Sequence, residues 1–206
     1  MRLSRTLALL SFAVLLVPVP SPAAKPSLVV IAHGGYAFQE ENNLRGKFES
    51  GFGFAYPLGR GFALAVEFCR WTALSRESRG KLFDGTVTIS PIIFALQFEF
   101  LRNRYFFPYA MIGGAFVFSR FRIGSYISIP EVQIDQHIDD GFSPYLGLGA
   151  RIALANSVGF FSEAAYLPRT ASAQTIFRDM NRGVSSVAIV ANLRTVLLKF
   201  GLKLSF

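Results

Sequence analysis

Charge is scarce in this chain. Of its 206 residues only 17% are Asp, Glu, Lys or Arg, against about a quarter in an average soluble domain. Cysteine is scarcer still. Cys69 stands alone, which excludes an internal disulfide and with it the disulfide scaffolds of small secreted domains. Histidine occurs twice, at His33 and His137, so a Cys/His metal centre fails for lack of ligands and no metal or cofactor is expected. Long hydrophobic runs are also missing. Although 51% of the residues are hydrophobic and 15% aromatic, no internal run reaches the roughly 18 uncharged apolar residues of a spanning helix. The composition argues against disorder and collagen-like repeats as well. What abounds is glycine, 18 residues, and phenylalanine, 22. Apolar residues that are plentiful yet dispersed point to β-strands with one face in lipid.

The first 24 residues read as a cleaved secretory signal. Arg2 and Arg5 form a basic start, Leu7 to Val17 a short apolar core, and Ser21-Pro22-Ala23 or Pro22-Ala23-Ala24 the small residues before cleavage. Pro18, Pro20, Pro22 and Pro26 follow the apolar stretch at once, which argues against a first membrane helix. Residues 25–206 are then one domain outside the cytoplasm. They hold 19 basic against 13 acidic residues, a net charge of +6. That excess either solubilises loops or favours acidic partners such as lipopolysaccharide phosphates. Cys69, inside a strand pattern, reads as a small buried filler.

Period-two alternation dominates the mature chain. Phe48, Phe52, Phe54 and Tyr56 oppose Lys47, Glu49, Gly51 and Gly53. Phe62, Leu64, Val66 and Phe68 oppose Ala63, Ala65, Glu67 and Cys69. Similar two-faced stretches span 92–100, 142–154, 158–167 and 196–206, with less clean alternation at about 28–38 and 107–119. That predicts eight strands of roughly 9 to 13 residues, the length of a tilted membrane-spanning β-strand rather than the five or six usual in soluble sheets. Connections alternate between short (57–61, 102–106, 155–157) and long (39–46, 73–85, 120–141, 168–195). The expected fold is all-β: an eight-stranded antiparallel up-and-down transmembrane β-barrel with short periplasmic turns and long extracellular loops.

A soluble lipocalin-like barrel is the rival, and the composition of the weaker face separates the two. In water that face would be studded with charge. Here it carries mostly glycine and alanine with about one charge per strand, which suits a narrow packed lumen. The carboxylates Glu49, Glu67, Glu99 and Glu163 lie on this face with Arg151, Lys199, Lys203, Gln97 and His33. Buried charges must be paired, so an interior ion network that fills the barrel is expected rather than an open pore.

Enzyme signatures are thin, and no catalytic residue is assigned. His137, Asp139 and Ser143 assemble a Ser/His/acid set on paper only, without a Gly-x-Ser-x-Gly motif. Asp135, Asp139 and Asp140 lack the spacing of an EF-hand. Gly51-Phe52-Gly53 sits within strand alternation and opens no helix, so neither a nucleotide nor a nucleic-acid partner is expected. In the third long loop, Ile123, Ser125, Ile127 and Ile129 alternate up to Pro130-Glu131, and Val132, Ile134, Gln136 and Ile138 continue. This reads as a hairpin that extends the barrel wall and offers an edge for strand addition. Val184 to Leu193 is either a short helix or an upward continuation of the last strand.

The C-terminus carries the most specific motif. Leu198, Phe200, Leu202, Leu204 and the terminal Phe206 are spaced by two. This resembles the C-terminal recognition strand of bacterial outer-membrane proteins, which the barrel-assembly machinery reads. Phe142-Ser143-Pro144-Tyr145-Leu146-Gly147-Leu148-Gly149-Ala150-Arg151, the turn Ala155-Asn156-Ser157 and Phe160-Phe161-Ser162-Glu163-Ala164-Ala165-Tyr166 look like the penultimate hairpin of small eight-stranded barrels. The chain thus resembles the OmpA/OmpX-like outer-membrane β-barrel family over nearly its whole mature length. The match is weakest in the first strand, where Gly34-Gly35 interrupts the pattern, and no peptidoglycan-binding domain is expected. The resemblance implies location in a Gram-negative outer membrane, among lipid and lipopolysaccharide, with the barrel-assembly machinery as a partner during insertion. It implies function poorly. The expected role is structural or surface interaction, with loops 120–141 and 168–195 open to a surface ligand. The alternatives are a lipid A-modifying enzyme, for which no His-x-Ser-Asn stretch is present, and a small-solute pore.

Overall fold

A computed structural model describes residues 28–39, 44–45, 47–75, 85–100, 105–123, 132–179 and 183–206. The signal segment, 1–24, lies outside them. Among the described residues twelve strands occur in chain order: β1 (Val29–Gln39), β2 (Leu44–Arg45), β3 (Phe48–Gly59), β4 (Phe62–Ser75), β5 (Gly85–Glu99), β6 (Phe106–Ile123), β7 (Val132–Ile138), β8 (Gly141–Ala153), β9 (Val158–Leu167), β10 (Thr170–Asp179), β11 (Gly183–Asn192) and β12 (Thr195–Ser205). Eight of them hydrogen-bond side by side in the order β4-β3-β1-β12-β9-β8-β6-β5, and β5 pairs back to β4. The sheet is therefore a closed antiparallel barrel, and closure leaves none of these eight strands as a free edge. The two-residue β2 flanks the top of β4.

The pleat sorts the sequence as its period-two pattern requires. Phe48, Phe52, Phe94, Ile112, Leu148 and Phe200 are exposed on the outer wall, whereas Ile31, Glu49, Trp71, Tyr109, Tyr145, Phe161 and Lys199 are buried inside it. An exposed apolar band of this extent is unfavourable in water and suits hydrocarbon. The inward glycines make room for long side chains that cross the lumen. A Cβ on Gly51 would collide with the His33 ring, and one on Gly149 would stand 2.6 Å from the Tyr109 ring. Between β3 and β4 the chain turns through Gly59, Arg60 and Gly61, all at positive φ.

Two strands outrun the alternation in the sequence. The fourth barrel strand begins at Gly85 rather than 92, and the fifth runs over Phe106–Ile123 rather than 107–119. Pro91 explains the first difference. It has no N–H to give the ladder, so the β4–β5 pairing skips Cys69 and Arg70 and resumes at Trp71↔Ile89 in the same register. The Gly34-Gly35 interruption does not break β1, which pairs continuously with β12.

The long-loop end is a second sheet, ordered β11-β10-β7. Of the hairpin expected within 120–141, the second arm, 132–138, is strand β7, and on one edge β7 pairs with β10 of the fourth loop, from Ala173↔Ile138 to Asp179↔Val132. The first arm falls largely at 124–131, outside the described residues. Val184 to Leu193 is not helical, since β11 pairs with β10 from Thr170↔Asn192 to Asp179↔Gly183. β9/β10 and β12/β11 are thus the two arms of one long hairpin, bent at residues 168–169 and 193–194. The chain bends again at Asp139–Asp140, between β7 and β8.

Arg169 holds these bends together. Almost fully buried, it donates from Nη1 to the Val117 carbonyl at 2.9 Å and to the Gly141 carbonyl at 2.6 Å. From Nη2 it donates to the Asp139 carbonyl. Backbone bonds from Leu193 N to Arg169 O and from Asp139 N to Ser172 O, and the Ser119 N–H donated to Asp140 Oδ1 at 2.7 Å, complete the joint. A guanidinium fork suits this position because it offers five donors in a fixed plane to several carbonyls at once.

Candidate functional site

The lumen is where the chemistry-bearing residues meet. Lys199, on β12, extends its ammonium to Glu67 Oε2 on β4 at 2.7 Å and to Glu163 Oε1 on β9 at 3.2 Å, and donates to Tyr145 OH on β8 at 2.7 Å. Tyr145 in turn donates to Glu163 Oε1 at 2.5 Å, and Tyr109 OH donates to Glu163 Oε2 at 3.0 Å. All five residues are buried. Sequence reasoning missed Tyr109 and Tyr145 as members. The available signal was a tyrosine on a lumen-facing position, whose hydroxyl needs a partner once buried.

A second chain of contacts runs toward the short turns. Lys203 Nζ donates to Gln97 Oε1 at 2.9 Å, Gln97 Nε2 donates to Glu99 Oε1 at 3.3 Å, and Arg151 Nη2 lies 3.4 Å from the same Glu99 oxygen. Lys203 also stands over the Tyr109 ring, 4.4 Å from its centre, and Arg151 stands 4.1 Å over the Phe107 ring. Through Tyr109 the two groups share a wall. Each of the seven expected charges, Glu49, Glu67, Glu99, Glu163, Arg151, Lys199 and Lys203, therefore stands within 4 Å of an oppositely charged, ionisable or hydrogen-bonding lumen group.

Glu49 is the exception in kind. Its Oε1 lies 3.2 Å from His33 Nδ1, yet neither carboxylate oxygen makes a hydrogen bond. On its other side the His33 ring places Nε2 3.8 Å from Glu67 Oε2 and 4.0 Å from Cys69 Sγ. Cys69 is buried and free, as a filler would be. Its neighbourhood, however, brings three potential ligand types within 4.8 Å of one another. Linear spacing of Cys and His did not reveal this, because the third group is a carboxylate and all three come from register.

The paper Ser/His/acid set does not assemble. His137 Nε2 is 3.6 Å from Asp139 Oδ1, both well exposed, while Ser143 is buried and donates to the Pro144 carbonyl. At the C-terminus, Phe200, Leu202, Leu204 and Phe206 are exposed on the outer wall, with Leu198 half-buried, and the Phe206 N–H donates to the Leu28 carbonyl. Outside the barrel, near the long-loop end, a groove of about 550 Å³ is lined by Arg70, Arg120, Arg122, Thr88, Ser90 and His137, among others. It lies where β6 has outrun its ladder with β8, whose last pair is Val117↔Gly141.

No protein-family profile matches the chain, and no curated protein matches it in sequence. Solved structures do. The outer membrane protein OprG from Pseudomonas aeruginosa superposes with a TM-score of 0.71 at 14% identity, covering 89% of this chain and 98% of that one. A major outer membrane protein from Thermus thermophilus gives 0.60 at 13% identity, covering 89% and 100%. The outer membrane protein AlkL, determined in lipid bilayers, gives 0.58 at 18% identity, covering 91% and 95%. Closed ladder, apolar exterior and these likenesses agree: the chain has the fold of the small eight-stranded outer-membrane β-barrels.

Proposed function

We propose that this protein is an integral outer-membrane barrel whose lumen is closed by its own side chains and whose role is structural or surface-interacting, exercised at the long-loop end. The observation that carries the reading is the span of the lumen contacts. In the circular strand order, β12 and β5 are four strands apart either way round, so the Lys203–Gln97 bond joins diametrically opposite walls. Lys199–Glu67 joins walls three strands apart. Side chains bonded across the middle leave no continuous water path, and a charged network in low dielectric is costly to open.

The working surface is then the β7–β10–β11 sheet, where Val184, Val187 and Val190 are exposed. The outer wall holds the protein in lipid, and the arginine-lined groove, beyond the apolar band, fits the phosphates of lipopolysaccharide. The C-terminal alternation serves as the assembly signal for insertion. Refolded protein in planar bilayers tests the closed lumen: no stepwise conductance is expected, and steady ohmic single-channel currents would overturn the reading in favour of a small-solute pore. Among the described residues His33 faces the lumen and His137 pairs with an exposed aspartate, so neither supports the lipid A-modifying alternative.

A further inference from the structure

We propose that His33 Nε2, Cys69 Sγ and a Glu67 carboxylate oxygen form a three-ligand site for a zinc-class divalent cation inside the barrel, with Glu49 as the outer carboxylate on His33 Nδ1.

Distances come first. Tetrahedral bonds of about 2.0–2.3 Å place nitrogen, oxygen and sulfur ligands about 3.4–3.6 Å apart. Here Nε2 stands 3.8 Å from Glu67 Oε2 and 4.0 Å from Cys69 Sγ. All three ligand atoms lie within 4.8 Å of one another, so an ion would draw the two His33 pairs in by a few tenths of an ångström and the Glu67–Cys69 pair by up to about 1 Å. The donor set, one imidazole, one thiolate and one carboxylate, is that of zinc among common divalent ions and unlike the all-oxygen sets of calcium or magnesium.

The surroundings of the histidine point the same way. A metal-bound imidazole normally gives its second N–H to a carboxylate, which fixes the ring. Glu49 occupies that position, 3.2 Å from Nδ1, fully buried and with both oxygens lacking a hydrogen bond. A buried carboxylate without partners is costly. Metal on Nε2 commits the ring proton to Nδ1, which likewise has no partner, and a small turn of the ring onto the metal would aim that N–H at Glu49. The cradle is shaped for the ring: a side chain at Gly51 would collide with His33 Cε1 and come within 2.7 Å of Nε2.

Charge completes the argument. In the deep lumen Glu49, Glu67 and Glu163 face Lys199 and Lys203, an excess of one negative charge when His33 is neutral, as a metal ligand must be. A divalent ion bound with loss of the Cys69 proton to solvent adds one positive charge and balances the lumen. Glu67 keeps its bond to Lys199, since a carboxylate has lone pairs for both. The site lies behind closed walls, so the ion enters as the chain folds.

The test refolds the full chain from urea into detergent micelles with Zn²⁺ or Co²⁺ present, removes free metal by gel filtration, and verifies folding by heat-dependent gel migration. The folded wild type is expected to retain about one zinc per barrel, and its cobalt form to show the thiolate-to-cobalt charge-transfer absorption. Cys69→Ser should abolish that absorption and most of the bound metal. His33→Gln should do the same for the metal, while Glu99→Gln, at the short-turn end, should retain it. Folded wild type that holds no more metal than Cys69→Ser, or a cobalt form without the thiolate band, overturns the proposal. Should His33→Gln fail to fold, the spectrum of the wild type decides alone.

Discussion

Lys203 Nζ and Gln97 Oε1 meet at 2.9 Å across the full width of the barrel, on strands four places apart in either direction around the wall. One hydrogen bond thereby ties together two walls that share no backbone ladder. Bonds to a charged donor are worth about 1.5–3 kcal/mol. A double-mutant cycle with Lys203→Met and Gln97→Leu, read by urea unfolding in detergent, should return a coupling in that range. Additive effects would mean that the bond does not persist in solution.

Lys199 is the hub of the network, so its removal should be the costliest single change in the lumen. Lys199→Met leaves Glu67 and Glu163 without their shared cation. Breaking a buried pair from one side costs about 3–5 kcal/mol. Glu163→Gln leaves Lys199 paired with Glu67 and keeps a carbonyl acceptor for one of the two tyrosines, while its amide N–H can donate to the hydroxyl oxygen of the other. It should cost clearly less in the same titration.

The outer wall predicts the opposite of a soluble protein's rule. Ile112 is among the most exposed large apolar residues, flanked in register by Leu96 and Leu146. On a water-facing surface Ile112→Arg would shift stability by no more than about 0.5 kcal/mol. Facing the middle of a bilayer it should cost about 2–4 kcal/mol, measured as unfolding of vesicle-inserted protein.

Arg169→Ala should uncouple the two sheets without opening the barrel. The carbonyls of Val117, Gly141 and Asp139 lose their common donor, and their nearest compensation is water at the rim. Amide exchange should speed up over 132–138 and 170–192, while the barrel strands keep their protection and the unheated protein still resists SDS.

Deleting Phe206 separates assembly from folding. Its side chain is largely exposed, so little packing is lost and refolding into detergent should be nearly unchanged. If the terminal alternation is read by assembly machinery, the amount reaching the outer membrane of cells should fall several-fold. Equal levels would assign these residues to lipid contact alone.

The arrangement of strands was legible because a membrane barrel prints two solvents on alternate residues. Lipid selects Phe52, Phe54 and Leu148, the narrow lumen selects Gly51, Gly53 and Gly149, and the period of two needs no knowledge of neighbours. Extensions escaped where a local rule misled. Pro91 looks like a strand boundary, yet it sits inside β5 at the cost of a gap in one ladder. Arg169 looks like a loop cation, and only the bend of three strands around it explains its burial.

The sequence by itself determined eight lipid-facing strands, which side of each meets hydrocarbon, and that four carboxylates share the lumen with lysines and an arginine. Those are properties of single residues and their spacing along one chain. The tertiary structure alone decided who meets whom: that Lys199 bonds Glu67 from three strands away, that β7 pairs with β10 of the next long loop, and that His33, Glu67 and Cys69 converge. Partners across a lumen depend on stagger between strands and on closure of the whole sheet. A period of two repeats identically under every even shift of register, so it carries no record of that stagger.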